Sequence, residues 1–319
     1  MLTDRPENVL FALYNADSWP HDRTFPWVLA QFNALRARSG KTPIFQQYGL
    51  YLKNRNQMSR ASWLTGGILL SAAFWQTRWS IGFEIFNNLR QFAGMRPDNP
   101  MKGRPVLNYC IGHGLFFGYQ VFEEFGGFSE RTHNEDAMFG LQASFRRVPI
   151  IPIPFLELAD SAETVRALYI QKSTWFWGPL QAFRYVSLIR QDLPGAKEEG
   201  LTLFWLACRL FEHALLWIGG PTLMYTLLAL AVLCGRPLDL AIWAVVALTY
   251  LALPNWIAVA WCGPGYDLAG EWTAGLRPAV GSLISYFLHG ASAYRSLWRA
   301  MRSAKGELLA KERTPLKGQ

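Results

Sequence analysis

Four short segments carry residue types at spacings that could do chemistry. The first is Asn15-Ala16-Asp17-Ser18-Trp19-Pro20, directly after the apolar run 8–14 (NVLFALY). A carboxylate at the end of a strand sits where open α/β sheets bind ligands. There Asp17 could hold Mg²⁺ or Mn²⁺ against the phosphates of a nucleotide, or simply close an Asx turn. The second is Gly126-Gly127-Phe128 followed by Asn134-Glu135-Asp136 at the start of an apolar helical pattern. A carboxylate held there can take a proton from a hydroxyl, and the same residue types also serve as ordinary helix caps. In the third, Gln171 and Trp175 are four residues apart and share one helix face. The aromatic run Trp175-Phe176-Trp177 offers flat surfaces to a sugar ring, or a belt at a membrane boundary. The fourth is His113 between Gly112 and Gly114, either a phosphate binder or a turn histidine without a role. No Ser-His-Asp or zinc-ligand spacing is present.

The elements that must position these residues read as mixed α/β. The run 8–14 predicts a buried strand, 22–38 a helix and 44–48 another strand. Helical patterns fill 57–92 and 115–124. Residues 148–155, with Pro149, Pro152 and Pro154, predict an edge strand, because proline cannot serve a central one. The uncharged stretch 61–77 is short for a membrane span and holds Gly66-Gly67, so it predicts a buried helix.

Of 319 residues, 17% are charged and 51% hydrophobic, with a mean hydropathy of +0.07. That combination predicts a water-soluble part, residues 1–200, joined to a membrane part, residues 201–319, and excludes a disordered chain. Thirty-one basic against 23 acidic residues leave a net charge of +8. Without a clustered cationic stripe this modest excess gives no support to nucleic-acid binding. Cys110, Cys208, Cys234 and Cys262 are widely spaced and predict buried reduced thiols. The polar opening 1–8 is not a secretory signal, which predicts that the first part stays in the cytoplasm.

Residues 214–234 and 240–262 are uncharged and each long enough to cross a ~30 Å hydrocarbon layer. Gly235-Arg236-Pro237-Leu238-Asp239 joins them as a hairpin turn. Neither span holds an ionisable residue of the kind that marks a transport pathway. The stretch 278–302 leads into a basic tail, which the positive-inside rule keeps in the cytoplasm. It therefore predicts an interfacial or re-entrant helix against anionic membrane lipids.

Read together and in this order, the segments resemble the membrane-associated family 2 glycosyltransferases. Asn15-Ala16-Asp17-Ser18 resembles their Asp-x-Asp metal motif, with Asp17 in the metal-binding place. Gly126 through Asp136 resembles the stretch leading to their Thr-Glu-Asp motif, with Glu135 and Asp136 at the catalytic positions. Gln171-Lys172-Ser173-Thr174-Trp175 resembles their Gln-x-x-Arg-Trp motif, which lines the acceptor site. The resemblance implies a partial GT-A domain followed by a helical membrane region in the cell (inner) membrane. It implies an inverting, metal-dependent transfer from a nucleotide-sugar donor to a lipid-linked or glycan acceptor, with Gln171 and Trp175 binding the acceptor. Asn15, Asn134 and Thr174 stand where the motifs have Asp, Thr and Arg. Loss of that Arg, a bidentate donor, argues against processive polymer synthesis. Family members also carry about one hundred residues of nucleotide-binding βαβ structure ahead of the metal motif. Three alternatives follow: the native chain begins upstream of Met1, a second polypeptide completes the sheet, or the protein is a non-catalytic subunit that binds no donor.

Overall fold

A computed structural model of the chain describes residues 8–39, 42–94, 106–108, 110–132, 134–255, 257 and 276–302. The chain forms two units. One comprises Met1–Leu50, Ser80–Ala159 and Gly178–Glu212, the other Tyr51–Trp79, Asp160–Trp177 and His213–Gln319. The units thus interleave along the sequence, where the composition predicts a single boundary near residue 200.

The first unit is built on a four-stranded sheet. Its strands are β1 (Leu10–Leu13), β2 (Ile44–Gln46), β4 (Leu115–Gly118) and β5 (Ile150–Pro152), in the order β1-β4-β2-β5. β4 pairs antiparallel with β1 and β2, and β2 pairs parallel with β5. Alternation along the strands sends successive side chains to opposite faces. Ile44, Leu115 and Phe117 join Phe139 and Ala143 of helix α6 (Glu135–Arg146) on one face. Phe45 and Phe116 join Val28 and Phe32 of helix α1 (Thr24–Ser39) on the other. Met138, Leu141 and Phe145 of α6 pack on a further cluster. This comprises Tyr185 and Ile189 of α8 (Ala182–Asp192) and Leu203, Leu206 and Leu210 of α9 (Gly200–Leu233). The prolines of 148–155 do leave β5 at a sheet edge.

Two expectations are corrected. Residues 115–118 form the central strand β4, and only Tyr119–Glu124 turns into helix α5. The apolar Leu115-Phe116-Phe117 buries on both faces of the sheet, a pattern that looks the same as a buried helix turn in sequence. The run 8–14 does form a strand, but β1 is half-buried at the other sheet edge. A short two-stranded parallel ladder, β3 (Gly49–Leu50) with β6 (Glu157–Leu158), continues beyond β2 and β5.

The second unit is helical. It holds α2 (Arg55–Arg60), α3 (Trp63–Trp79), most of α7 (Val165–Leu180), α9 from His213 onward, α10 (Pro237–Ala247) with a π-helical continuation at Leu248–Ala252, and α11 (Leu276–Arg302). Between α3 and α4 (Phe86–Gly94) lies a π-helical turn, Ser80–Ile85. The expected hairpin turn is present. Gly235 takes φ +62° and ends α9, with Arg236 N donating to Ala231 O at 3.0 Å. Pro237 then opens α10, where its missing N–H costs nothing. Gly200–Leu233 and Pro237–Asn255 are each long and apolar enough to cross a membrane, and only 17% of either apolar window is buried. The first helix starts fourteen residues before the uncharged stretch at 214, because its opening turns belong to the core of the first unit. The end of the second expected span, Cys262 and the tail after residue 302 lie outside the described residues. Among the described cysteines, all free, Cys110 is buried, Cys208 half-buried and Cys234 exposed, so the expectation of buried thiols holds for Cys110.

α11 is more than a lone surface helix. Gly281, Ser282, Ser285, Ser292, Ala293 and Ser296 are buried along one face, and α11 packs closely on α3. A Cβ on Gly281 would run into the backbone of Gly67, so the small residues are what let α11 and α3 approach this closely. The Arg277 guanidinium donates to the carbonyl of Ala61, just past the end of α2, at 3.0 Å and to that of Trp63, the first residue of α3, at 2.9 Å.

Candidate active site

Asp17 lies half-exposed in a turn closed by Ser18 N donating to Asn15 O at 3.0 Å. The next residue, Trp19, exchanges backbone hydrogen bonds of 2.7 and 2.9 Å with Leu158, so the turn is fastened beside β6. Ser18 Oγ donates to Glu157 Oε1 at 3.2 Å. Glu157 is fully buried, and the same oxygen meets His113 Nδ1. Its Oε2 has no hydrogen-bond partner among the described residues.

Asp136 sits half-buried in the first turn of α6, after Glu135 and the N-cap Asn134. Its Oδ2 accepts from Gly112 N at 2.8 Å and its Oδ1 from Ala137 N at 2.8 Å. Two backbone donors fix the carboxylate's orientation. Glycine at 112 eases this approach, since a Cβ there would stand 3.3 Å from Asp136 Oδ2, a tight contact. Gly114, at φ +61°, is needed for another reason: its conformation is left-handed, and a Cβ would come within 2.7 Å of Gln47 O. Gln46 holds the same loop, with Nε2 donating to His113 O at 2.7 Å and Oε1 accepting from Ile111 N at 2.9 Å.

One hydrogen-bonded chain therefore runs from Asp136 through Gly112 and His113 to Glu157 and Ser18, next to Asp17. The loop 112–114 thus links the segments that carry these two residues, 119 positions apart in sequence. The expectation for His113 is corrected: it is neither an open phosphate binder nor an idle turn residue, but half of a buried pair. Burial opposes its charged form, yet the adjoining Glu157 carboxylate, with Glu84 and Asp136 adding to it, pushes its pKa above the ordinary value. Glu157 gave one signal in the sequence that went unread: a lone acid in the apolar, proline-rich run 150–159, where burial demands a partner. Tyr185 of α8 is buried with its hydroxyl unpartnered among the described residues; burial and the charges of Asp136 and Glu135 push its pKa up.

Among the described residues no three His, Cys, Asp or Glu side chains cluster as a metal centre. A single carboxylate is nevertheless what a phosphate-bridged Mg²⁺ can take from a protein. Asp17 offers such a metal one carboxylate, and the described residues add no protein cage around it.

Gln171 and Trp175 lie on one face of α7 in the helical unit, both half-buried, and the Gln171 Oε1 atom is buried without a partner among the described residues. Between them, Lys172 is fully enclosed. Its Nζ is 4.2 Å from the ring centre of Trp75 and 5.1 Å from that of Trp175. Burial pulls its pKa down to about 7.

No curated protein matches the chain. A family model described as glycosyl transferase family group 2 matches residues 91–259. The matched stretch spans more than half of the 319 residues and contains Asp136, Gln171 and Trp175, so the chain belongs to glycosyl transferase family group 2.

Proposed function

We propose that the protein transfers a sugar from a nucleotide-sugar to a lipid-linked or glycan acceptor with inversion at the anomeric carbon. The observation that carries this reading is the Asp136 carboxylate, half-exposed and held by two backbone N–H groups. Asp136 takes the proton of the acceptor hydroxyl while its oxygen bonds to the anomeric carbon from the face opposite the departing diphosphate. Glu135 adds a second carboxylate at the same helix start. Asp17 is the residue to hold Mg²⁺ or Mn²⁺, which would neutralise charge on the leaving diphosphate. Gln171 and Trp175 bind the acceptor, the indole offering a stacking face and the amide a hydrogen bond. Gly200–Leu233 and Pro237–Asn255 cross the cell (inner) membrane as a hairpin, and the catalytic unit stays in the cytoplasm.

The test is donor-dependent release of nucleoside diphosphate by the full-length protein in its membrane. Asp136→Asn is expected to lower turnover by roughly 10²–10⁴-fold, the usual worth of a positioned base, with donor binding retained. Equal loss of binding and turnover would make Asp136 structural. Wild-type protein that releases no diphosphate from any nucleotide-sugar, whatever acceptor is supplied, would point instead to the non-catalytic subunit.

A further inference from the structure

The helical unit contains a small open pocket of about 20 Å³, room for about one water-sized group. Ser71 and Trp75 of α3, Lys172 of α7, Asn255 at the end of the second apolar helix, and Ser282 and Ser285 of α11 line it. Lys172 is the one Lys or Arg on this wall, and no Asp or Glu lines it. The Lys172 ammonium is fully enclosed and has no hydrogen-bond acceptor among the described residues. Its neighbours are the faces of two indoles, which attract a cation but supply no negative charge. A buried charge is ordinarily paired, and among the described residues the wall lacks the anion that would complete it.

The pocket's depth indicates which anion. Asn255 lies eighteen residues beyond Pro237, roughly 27 Å along a helix at 1.5 Å per residue. On the other arm of the hairpin, Trp217 precedes Gly235 by the same eighteen residues. Trp217 stacks on His289 of the pocket wall with ring centres 4.2 Å apart. Both arms therefore reach the pocket after about one hydrocarbon thickness. Trp75, Trp217 and Tyr286 surround that level, as aromatic side chains do at a bilayer boundary.

We infer that Lys172 binds the phosphate of a lipid headgroup at one face of the membrane. One non-bridging oxygen enters beside the ammonium, the rest of the phosphate and its ester arms remain at the mouth, and the acyl chains run along the exposed leucines of the hairpin. The inference rests on the reading of that hairpin as membrane-spanning, but not on glycosyl transfer.

The test places full-length protein in vesicles of phosphatidylglycerol, or of digalactosyldiacylglycerol, a bilayer-forming lipid that carries no phosphate. Flotation with the vesicles reports the membrane reading by itself. Native mass spectrometry after detergent release then reports retained lipid. Wild type is expected to keep one phosphatidylglycerol in preference to digalactosyldiacylglycerol, and Lys172→Met to keep it roughly tenfold or more weakly, the worth of a charge-assisted contact. Lys172→Arg is expected to restore part of the retention. Amine labelling of wild type keeps the idea testable should the variants misfold: phosphatidylglycerol must protect Lys172 and digalactosyldiacylglycerol must not. Protein that floats but retains both lipids equally, with or without Lys172, overturns the site. Protection by inorganic phosphate with none from phosphatidylglycerol overturns the lipid source and assigns a free anion.

Discussion

Among the described residues each unit encloses a basic side chain, and the two do so in opposite ways. In the sheet unit His113 is enclosed against Glu157, and Ser18 shares the same carboxylate oxygen. In the helical unit Lys172 is enclosed between two indoles and has no acceptor among the described residues. Burial pushes both groups toward neutrality, and the neighbour decides the outcome. The Glu157 carboxylate outweighs burial and raises the pKa of His113, whereas nothing among the described residues offsets burial at Lys172, which falls to about 7. A charge satisfied within the chain fixes the loop beside Asp136 and Asp17. A charge left unsatisfied has a contact to offer a ligand.

The largest effect that could break this contrast is Glu157→Leu. It leaves His113 and Ser18 buried without their acceptor, and stability should fall by about 3–5 kcal/mol in equilibrium unfolding of the solubilised protein. A loss below about 1 kcal/mol, the worth of an exposed pair, would show that the pair is not enclosed in solution.

Next come the pH profiles. The folded pKa of His113 is raised, so the pair's contribution is complete below the ordinary 6.5 and is lost as pH climbs through the raised value. Lys172 has the opposite sign: its folded value lies below the ordinary 10.5, so the cost of burying its charge is lifted as pH rises from about 7 to 10.5. Unfolding measured across these windows should show a falling component missing in Glu157→Leu and a rising component missing in Lys172→Met.

The smallest effect is that of Lys172→Met on stability near neutral pH. A flexible apolar chain of similar length removes the desolvation cost and gives up two cation–π contacts. The variant should stay within about 1 kcal/mol of wild type or exceed it, while its lipid retention falls. A loss as large as that of Glu157→Leu would mean that Lys172 has a partner within the fold.

Much of this was legible in the sequence because it is local. Proline at three positions of 148–155 forbids a central strand, and β5 is indeed at the edge. Gly235-Arg236-Pro237 can hardly continue a helix, and the hairpin turns there. Asn134-Glu135-Asp136 before an apolar pattern starts α6 as expected. The failures have a common origin. Leu115-Phe116-Phe117 was read as helix because a short apolar run carries no period of its own, and only pairing with β1 and β2 made it the central strand.

The sequence by itself determined the chemistry available: Asp17 in its turn, Asp136 at a helix start, Gln171 and Trp175 on one face, and two helices apolar enough for a membrane. Residue type and short spacing are enough for those. Tertiary structure alone decided which groups meet. Glu157 lies 44 residues from His113 and 139 from Ser18, and Lys172 draws Trp75 from a helix nearly one hundred positions away. Whether a buried charge is paired or left for a ligand depends on what the fold packs beside it, and no local pattern of residues records that.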